Sequence, residues 1–354
     1  MKHKQDTVAV VGAGIAGLSF ARRFMGHGKS VVLFDKGRSV GGRASSRLIA
    51  DECGLWADHG AQFFTARDER FKLYVESLRD QGLVSLWQEP IVKILTQNGV
   101  SSTLPASLAS RFVGTPKMSI LPQSLAEGLE IHQSTKINSL QKSPQGWLLI
   151  DDAKKTWGPF QKLILTVPPP QIIEFFSPNA SNQTVGIQNQ TVGIKAFPEV
   201  HFGPCWALLV RVPRLRSESL SFGGAFVESD SVLSWMANNS TKPGREAFVK
   251  SAHHIWTLHA SPEWSLNHLE SSLSDVAEFM VGAFSRLVSI EAREISVINK
   301  PHRWRYAIPQ VVPEKYLYDT DAGLGFCGDW CGGPRVEGAF ISGLELAGII
   351  LAEG

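Results

Sequence analysis

Apolar positions in this chain first appear as short unbroken runs and later as alternating or helical patterns. Thr7–Val11 reads TVAVV, a run of β-branched and small residues that predicts a strand buried on both faces. IAGLSFARRFMGHG follows with helical spacing and closes near Gly26 and Gly28, and SVVLFDK predicts a second strand ending at Asp35. Residues 113–129 predict a loop and a helix, and 131–152 predict two strands joined by SPQG. The run LILTV is ended by three prolines, which cannot continue a ladder and predict a sharp exit and a domain boundary. PCWALLVRV, LSFGGAFV, SVLSWMANN and HHIWTLHASPEWS predict strands of a mostly antiparallel sheet, the last with a loop, and residues 272–288 predict an amphipathic helix. At the C-terminus, apolar or small residues at 336, 339, 340, 343, 344, 347, 350 and 351 form one helical face.

The order is a parallel α/β start, a sheet-rich middle and a return to the first unit. It predicts an α/β protein: a Rossmann-like cofactor domain interrupted by a substrate domain with a mainly antiparallel sheet and helices. The boundaries expected are 1–72, 112–168 and 300–354 for the cofactor domain, with 73–111 and 169–299 for the substrate domain. A tandem copy of NQTVGI at 182–187 and 189–194 is too short to build a solenoid and reads as a duplicated surface stretch.

The loop between the first strand and helix is GAGIAG, placing Gly12, Gly14 and Gly17 in GxGxxG spacing, with Asp35 18 residues after Gly17. In this arrangement the first glycine makes the turn, the second lets a pyrophosphate approach the backbone, and the third lets helix and strand pack closely. The helix N-terminus faces the phosphates, and an acid ending the second strand takes the ribose hydroxyls. Next comes KGRSVGGR, from Lys36, with Gly41-Gly42 and Arg43. It adds a second close-approach loop with a planar cation suited to phosphate, which favours FAD over NAD. Gln62 beside Phe63 and Phe64 suits a segment lining a flat ring.

A chain of 354 residues with a net charge of +2 carries no basic stripe for nucleic acid. It has no run long and apolar enough for a membrane span and no recognisable signal peptide. The expected compartment is the cytoplasm. Its four cysteines are too few for a disulfide scaffold. Cys327 and Cys331 lack the further soft ligands a structural zinc site needs, so no metal is expected and Asp329 between them is the candidate for chemistry.

These motifs, with DHGAQFF, LILTVPPPQ and CGDW…RVEGAFISG, occur in an order that resembles the FAD-binding amine-oxidase superfamily. Within it the chain is most similar to renalase-type flavoproteins, through PCWALLV, IWTLHASPEWS, HRWRYA and FCGDWCGGPRVEGAFISG. The resemblance implies non-covalent FAD. Ala16, Arg43, Ala61 and Gln62 match contact positions, and Ile137 holds the adenine through its backbone; Lys36 and Gly42 of the second loop are further expected cofactor-binding residues. Asp329 bonds the ribityl chain, and Val336–Ala339 face the flavin. It implies oxidation of 2- or 6-dihydroNAD(P) to NAD(P)+, with dioxygen reduced to hydrogen peroxide. Trp304, His302, Arg303 and His259 are the expected substrate-site residues, with Trp206 and Trp264 as weaker candidates. Amine oxidation is the alternative; however, PCWALLVRV lacks the lysine many amine oxidases carry on that strand, and Lys195 lies ten residues before Cys205. A flavin-binding protein without turnover is the second alternative.

Overall fold

A computed structural model describes residues 7–49, 55–97, 100–106, 109–176, 197–228, 230–245 and 251–353. Cys53, Lys195 and the NQTVGI repeat lie outside them.

Six strands form the central sheet, in the order Leu317–Asp319, Leu324–Phe326, Lys162–Leu165, Val8–Val11, Val31–Phe34, Glu130–His132, all parallel except the first pair. The first strand is apolar throughout because both of its faces are covered. Val8 and Val10 pack towards the helices, while Ala9 and Val11 pack towards the opposite layer with Trp147 and Phe160. That opposite layer carries the three-stranded sheet Ile137–Ser143, Gly146–Asp151, Thr156–Phe160.

Two helices cross the other face: Ile15–Gly26, after the glycine loop, and Val336–Ala352 at the C-terminus. Their separation is set by Gly343, where a Cβ would stand 2.1 Å from the Ala16 carbonyl oxygen. The Ser19 hydroxyl donates to Phe340 O at 2.8 Å across the same contact.

The second sheet runs Ser296–Val297, Phe202–Pro213, His253–Ala260, Leu233–Asn238, Gly224–Glu228, Ile91–Gln97, Val100–Pro105. His302–Pro309 also pairs with Phe202–Pro213. Only the contact between Gly224–Glu228 and Ile91–Gln97 is parallel. Backbone hydrogen bonding carries the second sheet through residue 309. Helix Leu273–Val288 covers one face, burying Val276, Met280, Ala283, Phe284 and Leu287.

Two proline-rich stretches differ from the sequence expectation. The triple proline opens the helix Pro169–Phe176, and SPEWSLN holds the helix Pro262–Asn267 where a loop was expected. In the second, proline occupies a first-turn position whose missing N–H costs nothing, and the Ser261 hydroxyl caps Trp264 N. Among the described residues, no helix is long and apolar enough to cross a membrane.

Candidate active site

The glycine loop forms an open backbone trough. Gly12 has φ +110°, Gly41 lies beside Gly14 in a parallel bridge, and a Cβ on Gly14 would meet nothing within 4 Å. Gly42, at φ +53°, faces Gly14 across the trough, with its Cβ position 3.9 Å from the Gly14 Cα. The following helix has no side-chain cap and no acid in its first turn. Its first-turn N–H groups therefore lack helical acceptors and favour an anion. Gly17 cannot carry a side chain, because a Cβ would lie 2.1 Å from Gly12 O. Asp35 ends the second strand and accepts from Ala13 N and Gly37 N, each at 2.6 Å. Lys36 is exposed and reaches Gln171.

Arg43 and Asp329 close one end of this region. The guanidinium donates to both carboxylate oxygens at 2.7 Å and to Ala307 O at 2.9 Å. Asp329 opens a short helical turn, Asp329–Gly332, packed against the C-terminal helix. That helix starts at Val336, also without a side-chain cap; Val336 and Ala339 are half-buried there. Ile137 is buried at the start of its strand.

The open Gly14–Gly42 backbone, the uncapped N-terminus of the helix Ile15–Gly26 and the Arg43 cation suit a phosphate-bearing dinucleotide such as FAD. These residues and Asp35, Ala16, Ala61, Gln62 and Ile137 could hold it.

The expected substrate-site residues are sorted by strand alternation. Ala207 pairs with His259 on one neighbouring strand and His302 on the other, while Cys205 pairs with Trp304. Directly opposed residues share a face, so His259, His302 and Trp304 are brought together. Arg303 pairs with Trp206 on the reverse face. There its guanidinium sits 5.7 Å from the Trp206 ring and bonds Glu270 at 2.8 Å. Trp206 and Trp264 belong to the core beneath the helix Leu273–Val288. Arg303, Trp206 and Trp264 thus do not join the cluster.

His59 does join it, and its chemistry was missed in the sequence. Its carbonyl accepts from His259 Nε2 and from Trp304 Nε1, both at 3.1 Å. Its ring lies 5.3 Å from the Trp304 ring in a stacked arrangement and 5.1 Å from His302 edge-on. Burial, with Arg47 and His302 nearby, pulls His59 down to about 3. Burial brings His259 and His302 down to about 4. All three imidazoles are neutral at pH 7. Two buried polar atoms on this side of the molecule, His59 Nδ1 and Trp235 Nε1, have no protein partner.

Behind Gln62 lies a second constellation that sequence reading did not find. The Asp58 carboxylate takes Lys242 Nζ at 3.0 Å and Arg245 Nη2 on one oxygen, and Ser46 Oγ and Met118 N on the other. Lys242 also donates to Gln62 Oε1 at 3.1 Å, and Gln62 Nε2 donates to the carbonyls of Asp58 and Gly60. Asn239 bridges Arg245, Asp58 N and Thr257. Burial alone would push the Asp58 carboxyl up, but Arg245 and Lys242 hold it far below the usual carboxylate range. One carboxylate between two cations leaves positive charge in excess. Lys242, by burial and despite Asp58, falls to about 8.

Cys327 and Cys331 are buried free thiols, and burial raises both well above the ordinary thiol range. Among the described residues no group of three or more His, Cys, Asp or Glu could hold a metal.

Comparison with known proteins agrees with this architecture. The NAD(P)-binding Rossmann-like domain pattern matches residues 10–78, and the flavin containing amine oxidoreductase pattern matches 92–351. The chain is similar in fold to putrescine oxidase bound to putrescine, with 14% identity, TM-score 0.68, and coverage of 98% of this chain and 99% of that one. Cyclohexylamine oxidase from Brevibacterium oxydans IH-35A gives 11% identity, TM-score 0.70, and coverage of 98% and 99%. An oxidoreductase from Methanosarcina mazei gives 12% identity, TM-score 0.69, and coverage of 96% and 99%. The chain belongs to the flavin containing amine oxidoreductase family and is an FAD-dependent oxidoreductase of that type.

Proposed function

We propose that this protein is a renalase-type oxidase. It converts 2- or 6-dihydro isomers of NAD(P) to NAD(P)+, with the hydride delivered to FAD and dioxygen reduced to hydrogen peroxide. The observation that carries the reading is the cluster of neutral imidazoles and indole formed by His59, His259, His302 and Trp304. Bound FAD supplies the hydride acceptor and the route to dioxygen. The residues of the chain have to orient a flat donor and exclude water.

A dihydronicotinamide is a neutral hydride donor whose product is an aromatic cation, so no proton need leave its carbon framework first. An ammonium substrate must lose a proton before hydride loss. Imidazoles held at about 3 to 4 are too weakly basic to take it. Lys242, at about 8, is sealed among Asp58, Gln62 and Asn239. Trp304, with its N–H fixed on His59 O, offers an indole for stacking. On this reading Gly12, Gly14, Ala16, Gly17 and Gly42 cradle the pyrophosphate, Asp35 and Lys36 meet the adenosine ribose, and Ile137 meets the adenine. Arg43 and Asp329 serve the pyrophosphate and ribityl chain, and Ala61, Gln62, Val336 and Ala339 line the flavin.

The test is anaerobic mixing of the purified yellow protein with 2- or 6-dihydroNAD, with ordinary NADH and with primary amines. Rapid bleaching by the isomeric dihydronicotinamides alone is expected. Bleaching by amines alone would overturn the proposal in favour of amine oxidation.

A further inference from the structure

Arg47 stands beside the aromatic cluster and pairs with no carboxylate among the described residues. Its Nη2 lies 3.4 Å from His302 Nδ1, and burial pulls its guanidinium below the usual arginine range. No acid forms an ion pair with it among the described residues. By contrast, Arg43, Arg70, Arg245, Arg303 and Arg305 each bond an acid. Its position follows from the fold. Arg47 sits on Ser46–Leu48 and pairs across the hairpin with Ala57, which leads directly into Asp58 and His59. A half-buried guanidinium among neutral imidazoles is weakly screened, and its field reaches both His302 and His59. Arg303, on the reverse face of its strand, already holds Glu270 and cannot take this part.

We infer that Arg47 sets the charge selectivity of this site, receiving a carboxylate or phosphate oxygen of the substrate and disfavouring substrates that carry an ammonium group. Guanidinium geometry suits either oxyanion, donating two parallel N–H bonds where a lysine would offer a point charge. The preference rests on the site proposed above being the substrate site. It extends that proposal from a flat neutral ring to a flat ring with an anionic substituent, the opposite of an amine.

The experiment uses the flavin-loaded protein and no turnover. Nicotinate, nicotinamide and 3-picolylamine are near-isosteric and carry negative, no and positive charge at pH 7. Each is titrated while the visible flavin spectrum is followed. Wild type is expected to bind nicotinate tightest and picolylamine weakest, with a spread of about tenfold or more at low salt. Arg47→Gln should collapse the spread, whereas Arg47→Lys should keep its order. Equal flavin content and melting temperature establish that the variants are folded. A flat or reversed order in wild type, or a spread that survives Arg47→Gln, would overturn the inference. Because binding alone is read, failure of the dihydronicotinamides to bleach the flavin would sink the proposed reaction and leave this result standing.

Discussion

Arg43 and Asp329, 286 residues apart in sequence, are joined by two parallel hydrogen bonds of 2.7 Å. The pair ties the second glycine loop to the turn before the C-terminal helix. Asp329 is only 12% exposed at its side chain, so the contact is poorly screened. Asp329→Ala should leave Arg43 with the Ala307 carbonyl and the Phe202 ring but no acid, and should disorder the loop that faces the trough. The expected outcome is at least about tenfold weaker FAD binding, read as the flavin-to-protein ratio after dialysis. Retention of full flavin would separate this pair from cofactor binding.

Among the described residues, Asp58 is the one acid paired with the buried cations Lys242 and Arg245. Asp58→Asn should cost about 3–5 kcal/mol of unfolding free energy, since it strands Lys242 and Arg245. Lys242→Met should cost much less, because the Asp58–Arg245 pair survives it. Urea midpoints of the two variants check the order, and equal losses would contradict it.

His59, His259 and His302 are depressed, from 6.5 to about 3 or 4. Below pH 6.5 the unfolded chain binds protons that the folded chain refuses. Stability therefore falls as pH drops from 6.5 towards 4. The urea midpoint should decline across that window, and His259→Gln should reduce the decline while keeping an N–H for the His59 carbonyl. A slope unchanged by this substitution would show that His259 charges freely in the folded protein.

Gly343→Ala places a methyl group against the Ala16 carbonyl. Overpacking of this kind costs about 1–3 kcal/mol and should shift the helix that begins at the glycine loop. Calorimetry should show a lower melting temperature, with weaker FAD retention alongside it. Unchanged melting would mean that the helix pair has slack.

Replacing Cys327 and Cys331 together by alanine should leave FAD bound. Both thiols are buried, unpaired, and raised in pKa by that burial. Loss of flavin in this double variant, with melting unchanged, would assign the thiols a role in the cofactor site.

Features encoded in neighbouring residues were legible in the sequence. The run TVAVV, the GAGIAG turn and the acid at Asp35 specify strand, loop and partner within a few turns of chain. The aromatic cluster was half legible. Trp304, His302 and His259 were found as residue types, but Arg303 was grouped with its neighbours although strand alternation turns it to the reverse face. His59 reads locally as part of a loop, and it gains meaning only from Trp304, 245 residues away. Lys242 and Arg245 stand in TKPGR, a stretch with no hydrophobic periodicity. Their partner Asp58 lies 184 and 187 residues upstream, so no periodicity could mark them as buried. The helices at Pro169 and Pro262 were missed because proline was read as a terminator, when it also suits the first turn.

The Asp58 cluster spans two parts of the fold. Asp58 comes from the hairpin beside the glycine loops, whereas Lys242, Arg245, Asn239 and Thr257 come from the second sheet and its connections. Swinging the hairpin away from the second sheet would strip a buried carboxylate from two cations at once, at a cost of several kcal/mol. The hairpin and the second sheet are therefore held together as one unit by a network buried between them.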